Sequence, residues 1–270
     1  MMRFIFGLAS IVLALSSARA DLIEFTITNK APTGGVFLTP TFFGVHNGGF
    51  TLFTPGQSSS AGLERIAEDG GPATLLLQSL RAVGGSGLVT TTGVIAPGQS
   101  ASVRLEVNPA VDRFFSFATM VIPSNDAFIG NPVLIPLFDA SGNLIGRSGS
   151  SALRISGAQV WDSGTEVNDE LSNTTAFLDQ SVPDTGTAEN GVVRLHAGFL
   201  GSQRLGGPLG DILSTPNFVG ADFTTADYQV AEISVAPVPA PPAVILLGIA
   251  ALGIGLRRFA ARRSTVIAAA

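Results

Sequence analysis

Hydrophobic and polar residues alternate in two segments of the chain, and this period of two predicts strands with one buried face. In residues 22–28, the apolar side chains Ile23, Phe25 and Ile27 alternate with polar ones. Residues 102–107 repeat the pattern, with valine and leucine on one face and serine, arginine and glutamate on the other. Both segments are expected to cover a core on one side and to meet water on the other.

A third segment, residues 114–122, is apolar almost throughout. This composition predicts a strand that is covered on both faces and therefore lies centrally in its sheet. Turn-forming residues at 139–143 separate two short apolar segments, which indicates a hairpin. Further strands are expected at residues 133–138, 144–145, 154–161, 192–199 and 228–235, which brings the number to about eight.

Two segments between the early strands have helical patterns instead. Residues 61–68 and 72–83 are predicted as short helices, and Pro72 suits the first turn of the second one. Leu75, Leu76 and Leu80 would form its buried stripe. Together with many phenylalanines and glycines, these patterns predict an all-β antiparallel sandwich with a short helical insertion.

The chain begins with the features of an export signal. Residues 1–20 combine Arg3, an apolar segment at 4–15 and the small-x-small sequence of residues 18–20. We therefore expect cleavage before Asp21 and a folded domain at residues 21–235. A retained N-terminal anchor is the weaker interpretation, because the apolar segment is shorter than the roughly 20 residues that a membrane span needs.

The chain ends with a proline-rich linker at 236–242 and a predicted transmembrane helix with a basic cluster at 243–263. A short tail, residues 264–270, follows. This C-terminal segment resembles a PEP-CTERM sorting tail, the substrate of exosortase in Gram-negative bacteria. The resemblance rests on the proline cluster, the apolar helix and the arginines that follow it. The pattern departs from the family at Ala240, where a glutamate is usual. The alternative is an ordinary single-span anchor. Both a sorting tail and an ordinary anchor would mean that the protein is exported and held in the membrane at least transiently. The resemblance to the sorting tail further implies a final position at the cell surface or in the extracellular matrix.

Charge and composition limit the partners of the domain. Nine of the 15 basic residues and all 20 acidic residues lie in 21–235, so this segment has a formal charge of −11. Such a charge disfavours nucleic acid and anionic lipid but suits divalent cations. Cysteine is absent, so stability must come from burial rather than disulfides. The histidines, His46 and His196, are expected in the core or at its rim.

Acidic residues concentrate in two loops that directly follow predicted strands, at residues 122–130 and 161–170. Calcium takes six to eight oxygen ligands, in which carboxylates and carbonyls are mixed. The candidate ligands are Asp126, Asp162, Glu166 and Asp169. Asn125, Asn168 and loop carbonyls would complete the shell. The alternative is that these are solvated acidic loops without a metal.

Residues 115–130 and 161–170 resemble the spondin N-terminal domain, and shorter pieces agree with it, including residues 62–64, 67–70 and 196–199. The resemblance implies a C2-like β-sandwich that holds calcium in acidic loops at one end. It implies Asp126, Asp162 and Glu166 as metal ligands, and Asp169 as a further candidate. Animal members carry cysteines, which this chain lacks, and a tryptophan where this chain has Ala127. The partners of the animal proteins are therefore not predicted for this chain.

The sequence thus predicts a non-enzymatic, calcium-binding module that associates with the cell surface, a matrix protein or extracellular polysaccharide. An exosortase-type enzyme would process it, and its C-terminal helix would contact the membrane. Two alternatives stay open. One is an extracellular glycan-acting enzyme that uses Asp162 and Glu166, and the other is a structural envelope protein without a ligand.

Overall fold

A computed structural model of the chain describes residues 21–71, 73–85, 87–176, 178–199 and 212–239. The predicted signal peptide at 1–20 and the predicted membrane segment and tail at 243–263 and 264–270 lie outside these ranges. In the described part, the chain consists mostly of antiparallel β-sheet with two α-helices, which confirms the predicted all-β class. No helix in that part is long and apolar enough to cross a bilayer.

The strands are numbered in chain order. They are β1 (Asp21–Asn29), β2 (Phe37–Leu38), β3 (Phe42–His46), β4 (Gly87–Thr90), β5 (Ser100–Val107), β6 (Phe114–Ile122), β7 (Ala127–Gly130), β8 (Ile135–Pro136), β9 (Leu153–Ser156), β10 (Trp161–Asp162), β11 (Arg194–Leu195) and β12 (Gln229–Pro237). The helices are α1 (Ala61–Asp69) and α2 (Thr74–Ala82), and both lie between β3 and β4.

The first sheet has the strand order β5-β1-β12-β9 and shows the alternation that the sequence predicted. Ile23, Phe25 and Ile27 are fully buried on its inner face. On its outer face, polar side chains of β1 and β5 pair across the strands, among them Thr26 with Ser102 at 2.7 Å. One face of this sheet therefore forms the core and the other meets solvent.

The second sheet has the order β11-β10-β7-β6-β3-β4, and β2 and β8 also pair with β6. As predicted, β6 lies centrally, and its residues after Phe114 are buried. On one face, Phe115 and Phe43 contact Phe25 of the first sheet, with ring centroids 5.5 and 5.1 Å apart. The two sheets therefore share a core between them, as in a sandwich.

The helices cover the other face of the second sheet. Leu63 and Ile66 of α1 and Leu76 and Leu80 of α2 pack there in a second core. Ser60 caps the start of α1, where its side chain accepts a hydrogen bond from Leu63 N–H. Gly70 ends α1 in a left-handed conformation with φ 57°. Glu68 and Asp69 are the last two residues of α1 before this cap.

The prediction of one strand at residues 154–161 was wrong. β9 ends at Ser156, a 3-10 turn occupies Gly157–Gln159, and β10 begins in the other sheet. The backbone of Phe223 lies so close to Gly157 that no side chain fits there. At the C-terminal end, β12 continues to Pro237, two residues into the segment predicted as a linker, and the compact unit ends at that residue.

Candidate metal site

Asp126 lies in the tight loop between β6 and β7, and it is fully buried. Its Oδ2 accepts hydrogen bonds from the backbone N–H groups of Thr165 and Glu166, at 2.8 and 3.1 Å, and from the Thr165 hydroxyl at 3.2 Å. Its Oδ1 is buried and has no hydrogen-bond partner. One carboxylate oxygen thus fixes the start of the loop at 163–191, while the other is left without a donor.

Asp162 is the last residue of β10 and pairs in register with Ala127, next to Asp126. Its Oδ1 accepts from the backbone N–H of Gly164 at 2.7 Å. Its Oδ2 accepts from Asn168 Nδ2 at 2.7 Å and lies 3.1 Å from a guanidinium nitrogen of Arg194. Both oxygens therefore have partners, and an arginine balances the charge.

Glu166 lies on the loop at 163–191 and is 3 % exposed. Its Oε1 accepts from the backbone N–H of Gly186 at 2.8 Å, and its Oε2 is buried without a partner. Residues 165–167 and 187–189 hold the loop together by backbone hydrogen bonds. The carboxyl group of Glu166 therefore points into the loop and not into solvent.

Asp169 has different surroundings. Its Oδ1 accepts from Asn125 Nδ2, the backbone N–H of Leu171 and the Thr174 hydroxyl, all at 3.0 to 3.1 Å. These contacts shape the turn that follows residue 169. Of the four predicted ligands, the structure thus places Asp162 and Glu166 next to Asp126, whereas Asp169 contacts Asn125 instead.

Glu68, in the last turn of α1, joins these residues although the sequence did not predict it as a ligand. Its side chain is 3 % exposed and its Oε2 has no hydrogen-bond partner. Its neighbour Asp69 forms an ion pair with Arg65 at 2.8 Å and accepts from the backbone N–H of Asp184 at 3.2 Å. The only sequence signal for Glu68 was the resemblance of residues 67–70 to the spondin domain.

Burial and mutual repulsion raise the pKa values of three of these acids. Burial, and then the charge of Glu68, raises the pKa of Glu166 to about 8. Burial raises the pKa of Glu68 to about 7, although the neighbouring Thr165 side chain acts to lower it. Burial and the charge of Asp162 raise the pKa of Asp126 to about 6. The cluster therefore resists carrying its full negative charge.

His196 holds Asn168 against Asp162. Its Nδ1 accepts from the backbone N–H of Gly198, so its Nε2 carries the proton and donates to Asn168 Oδ1 at 3.1 Å. Burial lowers the pKa of His196 to about 4, so the ring is neutral near pH 7. A cavity of about 430 Å³ adjoins this ring. His46 is fully buried, so both histidines confirm the prediction of core or rim positions.

Carboxylate oxygens are the ligands that calcium prefers, and the unpartnered oxygens of Asp126, Glu166 and Glu68 fit such an ion in their chemistry. Within the described ranges, no group of three or more Asp, Glu or His side chains is arranged to hold a metal ion. The oxygens would have to draw closer together to share one.

No protein-family model matches the chain, and no curated protein matches it. The resemblance to the spondin N-terminal domain stays a prediction that rests on the motifs.

Proposed function

We propose that the chain is a non-enzymatic, calcium-binding β-sandwich module that is exported and associates with the cell surface or its matrix. The observation that carries this proposal is the pair of buried, unpartnered carboxylate oxygens of Asp126 and Glu166. Within the described residues, neither side chain forms an ion pair. A buried carboxylate without a counter-charge is strongly unfavourable, so it either keeps a proton or binds a cation.

The predicted ligands would have unequal roles at this site. Asp126 and Glu166 would supply oxygens directly, since each has one without a donor. Asp162 would add negative charge beside Asp126 while it stays bonded to Asn168 and Arg194. Asp169 would act through the turn that it shapes. Calcium bound there would cancel the repulsion and order the loop at 163–191.

The assignment of the chain to the spondin N-terminal family is part of the same proposal. A C2-like sandwich of the spondin N-terminal type would carry its metal loops at one end, and the acidic residues here lie on loops after β6 and β10. The loops at one end of a sandwich are also where such modules bind their partners. The partner class would be extracellular polysaccharide or a matrix protein, and the acidic surface makes nucleic acid a poor partner.

Calorimetric titration of the purified chain tests the metal site. We expect calcium to bind with a Kd of about 10⁻⁴ to 10⁻³ M, as in extracellular modules, and to raise the melting temperature. Asp126→Asn should abolish both effects, whereas Glu106→Gln on the exposed face of β5 should keep them. The absence of binding heat and of any melting shift in millimolar calcium would refute the proposal.

Export and sorting have a separate test. The proposal assigns residues 1–20 to an export signal and the proline-rich segment with residues 243–263 to an exosortase-processed tail. Cells of an exosortase-bearing Gram-negative host should therefore release a product that begins at Asp21 and ends near Pro239. Intact mass measurement checks this, and a product that retains residues 243–263 would support an ordinary membrane anchor instead.

A glycan-acting enzyme is the second candidate, because the raised pKa of Glu166, about 8, would let it keep a proton at neutral pH as a general acid must. Turnover of extracellular glycan that is lost in both Asp162→Asn and Glu166→Gln, with calcium affinity unchanged, would favour it. Calcium-dependent retention on the same glycan without turnover would favour the binding module.

A further inference from the structure

We propose that Glu68 of α1 is a further ligand of the cation, so that the bound ion fastens the helical insertion to the loop at 163–191. The inference rests on the proposed calcium site and adds to it a ligand from a third segment of the chain. The cation would then join three segments, namely the end of α1, the loop between β6 and β7, and the loop after β10.

The position of Glu68 supports this role. The side chain is 3 % exposed, and its Oε2 is buried with no hydrogen-bond partner. The Thr165 side chain lies beside Glu68, and the hydroxyl and the backbone N–H of the same threonine donate to Asp126 Oδ2 at 3.2 and 2.8 Å. One residue therefore connects both acids, and the carboxyl group of Glu68 faces the loop that carries Glu166.

The carboxyl groups of Glu68 and Glu166 repel each other. After burial, the charge of Glu68 is the largest influence that raises the pKa of Glu166. Helix α1 adds to the repulsion, because the C-terminal end of a helix carries partial negative charge and disfavours acidic residues. No basic residue lies in its last turn. A cation at this place would neutralise both carboxylates and the end of the helix.

Existing contacts already hold the loop close to the end of α1. Asp69 Oδ1 accepts from the backbone N–H of Asp184, and Gly186, two residues later, donates to Glu166. Asp69 itself is paired with Arg65 and is therefore not required as a ligand. Glu68 and Glu166 thus lie on the two sides of one junction, and an ion bound between them would have to draw both carboxylates toward it.

Hydrogen–deuterium exchange of the purified chain, with and without millimolar calcium, tests the inference. In the wild type, we expect calcium to slow exchange at least tenfold both in α1 and in residues 163–191. In Glu68→Gln, calcium should still protect residues 163–191, with an affinity at least tenfold weaker, but it should no longer protect α1. Glu64→Gln, the same change in the first turn of α1, should behave like the wild type.

The outcomes separate this inference from the proposal beneath it. Calcium binding in Glu68→Gln with wild-type affinity and full protection of α1 would overturn the role of Glu68 and leave the calcium site in place. No calcium effect in the wild type would overturn both. If Glu68→Gln does not fold, Glu68→Asp, which keeps the charge and shortens the side chain, should weaken binding and retain part of the protection; wild-type behaviour of this variant would count against the inference.

Discussion

Gly186 makes room for the carboxyl group of Glu166. A Cβ atom at residue 186 would overlap the Glu166 carboxyl carbon and both of its oxygens. The φ angle of Gly186 is not in the left-handed region, so the requirement for glycine is one of space. The atoms that would clash end a side chain that can rotate, so an added methyl group would displace Glu166 more than the backbone.

This argument predicts the effect of Gly186→Ala. The variant should fold with a loss of about 1 kcal/mol, since Glu166 gives up its hydrogen bond from residue 186. Its calcium affinity should fall at least tenfold, because Glu166 Oε1 and Oε2 both leave the site. Calorimetry gives the affinity and chemical denaturation gives the free energy of unfolding.

Gly146→Ala is the matched control, since residue 146 is exposed, has no atom within 4 Å of an added Cβ and has no left-handed φ. It should change neither quantity. Unchanged calcium affinity in Gly186→Ala would show that the position of Glu166 does not matter for binding.

At the scale of elements, the packing of α1 against α2 depends on Gly62. A Cβ atom there would lie 2.8 Å from Leu76 N and 3.0 Å from Leu76 Cα. These are backbone atoms of α2, so the contact is relieved only if one helix moves. Alanine is favoured over glycine inside a helix by about 1 kcal/mol, but overpacking of this kind costs about 1–3 kcal/mol.

Gly62→Ala should therefore destabilise the chain by up to about 2 kcal/mol, since the overpacking outweighs the gain in helix propensity. Denaturant unfolding measures the change. Ser79→Ala, an exposed substitution in α2, is the control and should be neutral within about 0.5 kcal/mol. A more stable Gly62→Ala would mean that the helices are not held at this distance.

The sequence predicted best those elements whose surroundings are uniform along their length. Strand β6 was predicted with its observed bounds because it is covered on both faces and is apolar almost throughout. Strands β2, β3, β4 and β7 were not predicted, since they are short and lack alternation. The segment at 154–161 was read as one strand because an apolar pattern does not show where a chain crosses from one sheet to the other.

The candidate site was predicted in part for a similar reason. Asp126, Asp162 and Glu166 follow strands, so loops at strand ends could be expected to bring them together. Glu68 lies on the side of α1 that faces away from Leu63 and Ile66, so the helical period alone indicates a solvated side chain. It is buried because the distant loop around Thr165 covers it, and that contact has no signal in the local pattern.

At the scale of the whole molecule, the buried acids make stability depend on pH. The pKa values of Glu68 and Glu166 are 4.5 in the unfolded chain and about 7 and 8 in the folded one. The folded state keeps protons that the unfolded chain has already released, so stability falls as the pH rises from about 4.5 to the folded-state pKa values and levels off above about 8. Since a tenfold change in proton affinity equals about 1.4 kcal/mol, the total is on the order of several kcal/mol.

We therefore expect the calcium-free protein to be less stable at pH 9 than at pH 6.5. This window avoids the opposite influence of His196, whose lowered pKa, about 4, affects stability only below about 6.5. Saturating calcium should reverse the trend, because calcium binds the ionised carboxylates, and its effect on the melting temperature should grow with pH.

Thermal melts at pH 6.5 and 9, with and without calcium, check this expectation. The double variant Glu68→Gln/Glu166→Gln should lose most of the pH dependence, since neither amide ionises, whereas Glu106→Gln on the exposed face of β5 should retain it. Calcium-free stability that stays level or rises over this range would show that these acids are not held together in the folded protein. The cluster would then supply neither the repulsion nor the ligands that the proposed site requires.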